Sequence, residues 1–188
     1  MSSIIENLKE AINGESNAKR KYELYAEQAI KENFPEVAKL FTAVAHAESI
    51  HVKNHLKAMS SITNEEVNPD DFIVIKEDEL KAHVKDTQSN LTDAINGETF
   101  EVKKMYKEFL KSAKAGEFDV VELSFQLARE AEKVHAKLYS KYLKNLEKSK
   151  PIEPCDIHVC TICGNVELKE PTRNCKICDH GPRFFKKF

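Results

Sequence analysis

Tryptophan is absent from this chain, and glycine and proline are scarce, with five and six among 188 residues. Together with a charged fraction of about a third, that scarcity reads as a helix-rich protein. No apolar run approaches the roughly 18 residues of a membrane-spanning helix, and the N-terminal stretch MSSIIENLKEAINGESNAKR lacks the apolar core of a secretory leader. The expected location is therefore the cytoplasm. An excess of charge is missing too. The 31 acidic and 29 basic side chains leave a formal net charge of −2, which gives no reason to expect nucleic acid or a membrane surface as a partner.

Cysteine is confined to the end of the chain. All five follow residue 154, and four of them form two Cys-x-x-Cys pairs, which points to a metal site and away from a disulfide framework.

What the chain does contain is a repeat. The pentapeptide AINGE occupies residues 11–15 and again 94–98, an offset of 83 that also matches Gly14 to Gly97 and Lys21 to Lys104. Further on the offset becomes 84, and Val37, Phe41, Ala47, Glu48, His51 and Lys53 fall on Val121, Phe125, Ala131, Glu132, His135 and Lys137. One residue has been gained between the two matched stretches. Turn signals at Lys31 to Pro35 and Lys114 to Phe118 make each half a helical hairpin. Four helices are expected near 3–31, 35–61, 87–114 and 118–147. The intervening Ser61 to Asp86 contains the β-prone run Phe72 to Ile75 and room for one helical turn around Glu77 to Val84. It is too long for a simple hairpin connection and suggests a crossover along the bundle, as in ferritin-like folds. Residues 1–147 thus read as the bundle, 148–154 as a proline-containing linker, and 155–188 as a small second domain.

Charges sit where apolar residues belong. On the first helix Leu8, Ala11, Ile12, Ala18, Tyr22 and Ala29 recur at spacings of three and four, with Glu15 in the middle of the stripe. Glu48 and His51, Glu98 and Glu101, and Glu132 and His135 interrupt the stripes of the other three helices in the same way. Buried carboxylates that converge cannot satisfy one another, so cations are required. In Glu-x-x-His the two side chains lie about 60° apart around the helix and about 4.5 Å along it, near enough for one metal or two adjacent ones. Two such motifs with a Glu from each of two further helices make the donor set of di-iron and di-manganese bundles. Glu101, whose repeat counterpart is Ala18, adds a seventh candidate ligand.

Other side chains are read more plainly. Tyr22 and Tyr106, seven and eight residues after Glu15 and Glu98, can donate hydrogen bonds to ligating carboxylates or simply pack in the core. His46 and His83 are read as facing solvent, and His55 as lying behind His51. Cys160, Cys163, Cys175 and Cys178 form two knuckles separated by eleven residues that can close a tetrahedral site. Without a metal this segment is too small to fold. Spacing leaves iron and zinc both open. Cys155 is a spare thiol. The basic end, Arg183 to Phe188, is read as a solvated tail whose phenylalanines have the alternative of packing on the bundle or on another subunit.

These motifs, taken together along the whole chain, resemble the rubrerythrins, in which a ferritin-like di-iron bundle precedes a rubredoxin-like domain. The resemblance implies iron at Glu15, Glu48, His51, Glu98, Glu101, Glu132 and His135, with one iron exchanging Glu101 for His51 on reduction, and a single iron on the four cysteines. It implies a peroxidase that reduces hydrogen peroxide to water in oxidative-stress defence. Electrons would come from NAD(P)H through a separate reductase or rubredoxin. The linker looks too short for the cysteine centre to reach its own bundle, and a homodimer or larger is expected on the family's head-to-tail pattern. One departure stands out: Asp179 follows the second knuckle where the family has glycine. A ferritin-like iron oxidation or storage protein, and a bundle with a structural zinc ribbon, are the competing readings.

Overall fold

The computed structural model describes residues 2–188. Two helical hairpins form the bundle, as the repeat requires. Helices α1 (Ser2–Lys31) and α2 (Pro35–Thr63) are joined by a turn in which Asn33 takes the left-handed conformation, and Pro35, which has no N–H to satisfy, opens α2. In the second hairpin Glu117 takes the same conformation ahead of α6 (Asp119–Glu147). The helix before that turn has three consecutive parts: α4 (Thr87–Phe100), a π-helical turn (Glu101–Met105) and α5 (Tyr106–Ala115). No helix among the described residues is long and apolar enough to cross a membrane.

The π turn is where the gained residue went. Tyr106 lies eight residues after Glu98, whereas Tyr22 lies seven after Glu15. In an uninterrupted α-helix the extra residue would rotate Tyr106 by about 100° relative to Tyr22. A wider turn with i→i+5 bonding absorbs that rotation and keeps Tyr106 on the inward face, where it is fully buried.

The crossover runs down α1 as a strap. Asn13 and Asn17 hold it: Asn13 Oδ1 accepts from Val74 N, Asn17 Nδ2 donates to Val74 O and Asn17 Oδ1 accepts from Lys76 N, at 2.9, 2.9 and 3.0 Å. The β-prone run therefore forms no strand, because side-chain amides take its backbone groups. A short helix, α3 (Glu77–His83), follows, pinned by the two-pronged pair of Arg20 with Glu77 at 2.8 Å.

The C-terminal segment is a three-stranded antiparallel sheet in the order β2-β1-β3, with β1 Ile157–Cys160, β2 Val166–Leu168 and β3 Phe185–Lys187. Ile157, Val159 and Val166 are buried in one cluster with Leu40, Val44 and Phe41 of α2. The basic end is thus an edge strand and not a solvated tail. Its backbone pairs with β1, and Phe188 packs on the bundle beside His46, 5.1 Å between ring centres.

The apolar core is divided in two. One cluster holds Tyr22, Tyr25, Phe41 and Tyr139, the other Leu8, Ile12, Phe109 and Phe125. The charged residues of the stripes lie between them.

Candidate metal centre

Four helices each place one glutamate in this middle layer: Glu15 on α1, Glu48 on α2, Glu98 on α4 and Glu132 on α6, all fully buried or within 1% of it. With the two histidines they make two quartets, Glu15, Glu48, His51, Glu132 and Glu48, Glu98, Glu132, His135, whose donor atoms lie within 4.8 Å of one another. Glu48 and Glu132 belong to both. Shared carboxylates between two quartets are what a pair of adjacent metals needs, since a carboxylate has two oxygens and can bind one metal with each. Glu101 stands apart, half-buried on the π turn and outside both quartets.

Each imidazole has its two nitrogens assigned. His51 Nε2 donates to Cys163 O at 3.1 Å and His135 Nε2 donates to Gly164 O at 3.0 Å, because a carbonyl can only accept. That leaves each Nδ1 facing inward, where its lone pair is open to a metal once the ring is neutral. His51 Nδ1 lies 2.8 Å from Glu48 and 2.7 Å from Glu132, and His135 Nδ1 lies 2.7 Å from Glu132. Neither Nδ1 makes a well-formed hydrogen bond, nor do both oxygens of Glu48 and of Glu132, Glu15 Oε2 or Glu98 Oε2. Eight orphaned donor atoms around one point are costly without cations, and carboxylate with neutral imidazole suits divalent transition metals.

The electrostatics carry the same message. Burial, then the neighbouring charges of Glu101 and Glu48, push Glu15 well above the usual carboxylate range, and burial with Glu48 and Glu98 does the same to Glu132. Glu48 is also burdened by burial, but its contacts with His135 and His51 outweigh that and hold it at about 2. Burial lowers His51, and Glu48 and Glu15 more than reverse this, to about 9.

Both tyrosines donate across the bundle. Tyr22 on α1 donates to Glu98 on α4 at 2.6 Å, and Tyr106 on α5 donates to Glu15 on α1. Behind Tyr106 stands His55, buried to 0% exposure and bonded to Tyr106 and to Ser124. The one-turn spacing from His51 predicts His55 behind it, whereas nothing in that spacing marks Ser124 as its partner. The signals available were the histidine one turn beyond His51 and a serine on the buried side of α6. His46 is half-buried against Phe188, and His83 is exposed.

The four cysteines form the second site, with Cys160 Sγ to Cys178 Sγ and Cys163 Sγ to Cys175 Sγ both 3.6 Å. A tetrahedron with metal–sulfur bonds of about 2.3 Å has edges of about 3.8 Å, so the thiols are spaced for one ion. Asp179 reproduces the missing glycine, with φ 58° against 78° at Gly164, and its N–H bonds Cys175 O at 2.8 Å as that of Gly164 bonds Cys160 O at 2.9 Å. The two positions differ in surroundings. Asp179 is exposed, while a Cβ at Gly164 would lie 2.4 Å from His51 Nε2.

The knuckle reaches its own bundle. Asn54 Nδ2 on α2 donates to Ile162 O at 2.8 Å, beside the two histidine bonds. The expectation that the linker is too short fails on length. The site lies about 18 Å back along α6 from Glu147, and the seven residues Lys148 to Pro154 extend to about 23 Å.

Fold and site define a ferritin-like di-metal carboxylate bundle carrying a four-cysteine sheet. Residues 6–143 match the family model described as Rubrerythrin. The chain is 35% identical over 179 residues to rubrerythrin-2 of Clostridium acetobutylicum, covering 91% of this chain and 89% of that protein. It is 31% identical over 179 residues to nigerythrin of Nitratidesulfovibrio vulgaris, covering 95% and 83%. A solved structure of nigerythrin in a mixed-valence state superposes with a TM-score of 0.84 at 28% identity, covering 98% of this chain and 86% of that one. The chain belongs to the rubrerythrin family.

Proposed function

We propose that this protein is a non-haem di-iron peroxidase that reduces hydrogen peroxide to water, with electrons from an NAD(P)H-dependent reductase entering through iron at the four cysteines. Glu15, Glu48, His51 and Glu132 would hold one metal, and Glu48, Glu98, Glu132 and His135 the other. Glu101, whose charge bears on Glu15, would be held in reserve as a further ligand. An iron pair bound there supplies two electrons, one from each metal, for cleavage of a peroxide O–O bond.

The residues of the chain do the rest. Burial excludes water from the donors, Tyr22 and Tyr106 orient the carboxylates they bond, and the two Nε2 bonds fix the imidazole planes. The observation that carries the reading is the contact of both histidines with consecutive carbonyls, one belonging to Cys163 itself. It joins a ligand of the cysteine centre to ligands of the metal pair by a single hydrogen bond. Iron storage or a structural ribbon needs no such junction.

The test is to reduce the purified protein anaerobically, count its iron and zinc, and add one equivalent of hydrogen peroxide or of oxygen in a stopped-flow spectrometer. Fast return of the iron–thiolate colour with peroxide and slow return with oxygen is the expected result. Preference for oxygen with mineral accumulation would instead favour iron oxidation, and zinc at the cysteines a structural ribbon.

A further inference from the structure

Reduction of one hydrogen peroxide breaks its O–O bond, takes up two electrons from the reduced metal pair and two protons from solvent, and leaves two waters. The electrons have a route. The protons must cross the wall of a buried site, and most of that wall is apolar.

One polar track crosses it. Ser124 Oγ lies 2.7 Å from His55 Nδ1, His55 Nε2 lies 2.9 Å from the Tyr106 hydroxyl, and Tyr106 donates to Glu15 Oε1. The direction of every bond is determined. Glu15 binding a cation is a carboxylate and can only accept, so the Tyr106 hydrogen points at it. The Tyr106 oxygen then accepts from His55 Nε2–H, and His55 Nδ1 accepts from Ser124 O–H. Burial holds His55 far below its ordinary range, to about 3, consistent with a neutral ring carrying one donor and one acceptor nitrogen. Ser124, at the outer end, retains 6% exposure, whereas His55 and Tyr106 have none.

The other half of the repeat supplies the contrast. At the offset of 84, Tyr106, His55 and Ser124 correspond to Tyr22, Tyr139 and Leu40. Tyr22 does bond Glu98. Beyond it, though, Tyr139 is 5.5 Å away ring to ring, its hydroxyl has no hydrogen-bond partner, and Leu40 is wholly buried. The same scaffold position is a continuous track on the Glu15 side and a dead end on the Glu98 side.

We propose that Ser124, His55 and Tyr106 form a one-sided proton relay that delivers solvent protons to the Glu15 side of the metal pair. In one passage Tyr106 gives its hydroxyl hydrogen to Glu15 Oε1, from which it passes on to a peroxide oxygen, and takes the Nε2 hydrogen of His55. His55 takes the hydroxyl hydrogen of Ser124 on Nδ1, and Ser124 is refilled from water. Each member gives one hydrogen and takes one, no electrons move along the track, and before the second proton His55 re-forms its Nε2–H tautomer while the two hydroxyls turn back towards Glu15. His55 and Ser124 touch neither substrate nor metal and act through Tyr106. The proposal rests on the peroxidase reading.

Two measurements test it. In ¹⁵N-histidine NMR of the full-length protein loaded with diamagnetic zinc, His55 should carry its hydrogen on Nε2, and the Nδ1 resonance should move in Ser124→Ala. A hydrogen on Nδ1 would reverse the track and overturn the relay. In single-turnover reoxidation of the reduced iron protein by peroxide, His55→Gln and Ser124→Ala should lower the saturating rate about tenfold or more and change its slowing in heavy water. Metal content and the half-saturating peroxide concentration should stay the same. Glutamine retains hydrogen bonding on both sides but does not readily pass a proton, so a rate near wild type in His55→Gln would mean that His55 only props Tyr106. Tyr139→Phe should change nothing, and equal slowing there would remove the one-sidedness. A wild type that does not react with peroxide would overturn the peroxidase reading and the relay together. A reactive wild type with equally fast variants would overturn the relay alone.

Discussion

His51 and Glu48 are at once a buried ion pair and a pair of metal donors, and the two roles have opposite pH behaviour. In the metal-free protein His51 is raised from 6.5 to about 9, so it contributes stability that is complete below pH 6.5 and lost as pH climbs to 9. The raised carboxyls of Glu15 and Glu132 act in the same direction, because charging them in the folded state is penalised. Glu48, lowered from 4.5 to about 2, adds stability above pH 4.5 that disappears only as pH falls through 2. The metal-free bundle should therefore melt at progressively lower temperature between about pH 6.5 and 9, while the metal-loaded protein, whose carboxylates face cations, should not. Thermal melts with and without chelator decide this, and a flat metal-free profile would mean that the site relaxes or admits water. At this scale the convergence of the candidate ligands was legible because a charge within an apolar stripe is visible in one dimension. His55 with Ser124 was not, since their meeting depends on how α2 and α6 pack.

Among the elements, the long helices were readable from the repeat and its turn residues, and the strap's short helix from the room for one turn around Glu77 to Val84. The π turn was present in the sequence only as a changed offset, because i→i+5 bonding leaves no residue signature. Strand β3 was obscured by Lys186 and Lys187, and its partner β1 lies more than twenty residues earlier. The knuckle containing Gly164 is the element on which the junction depends. In Gly164→Ala the φ of 78° costs about 1 kcal/mol, and the new Cβ would meet His51 Nε2 at 2.4 Å, so the knuckle must lift from the bundle. Reductase-driven turnover should fall well below wild type while helical content measured by circular dichroism persists. Unchanged coupled turnover would mean that the knuckle does not rest on His51 in solution.

For the molecule as a whole, the sheet lies against the bundle of its own chain, and just past the linker Lys39 Nζ of α2 donates to Cys155 O at 3.1 Å. A junction between the two centres thus exists within a single chain. Cys175→Ser should separate the two halves of the reaction: peroxide still oxidises a chemically reduced bundle, but the reductase no longer drives turnover. Coupled activity equal to wild type would sink the proposed route of electron entry. The order of domains and the ligand chemistry were legible from spacing alone. Their mutual placement was not, because it is set by apolar contacts of Ile157, Val159 and Val166 that a linker length does not reveal.

The π turn also dates an event. Matches before it hold at an offset of 83 and matches after it at 84, so the two halves came to differ in length only after one had been copied from the other. Gain in one half or loss in the other gives the same result, a wider turn that only the second half now carries. From that single-residue change onward the halves ceased to be interchangeable, and each was free to acquire duties that its twin lacks.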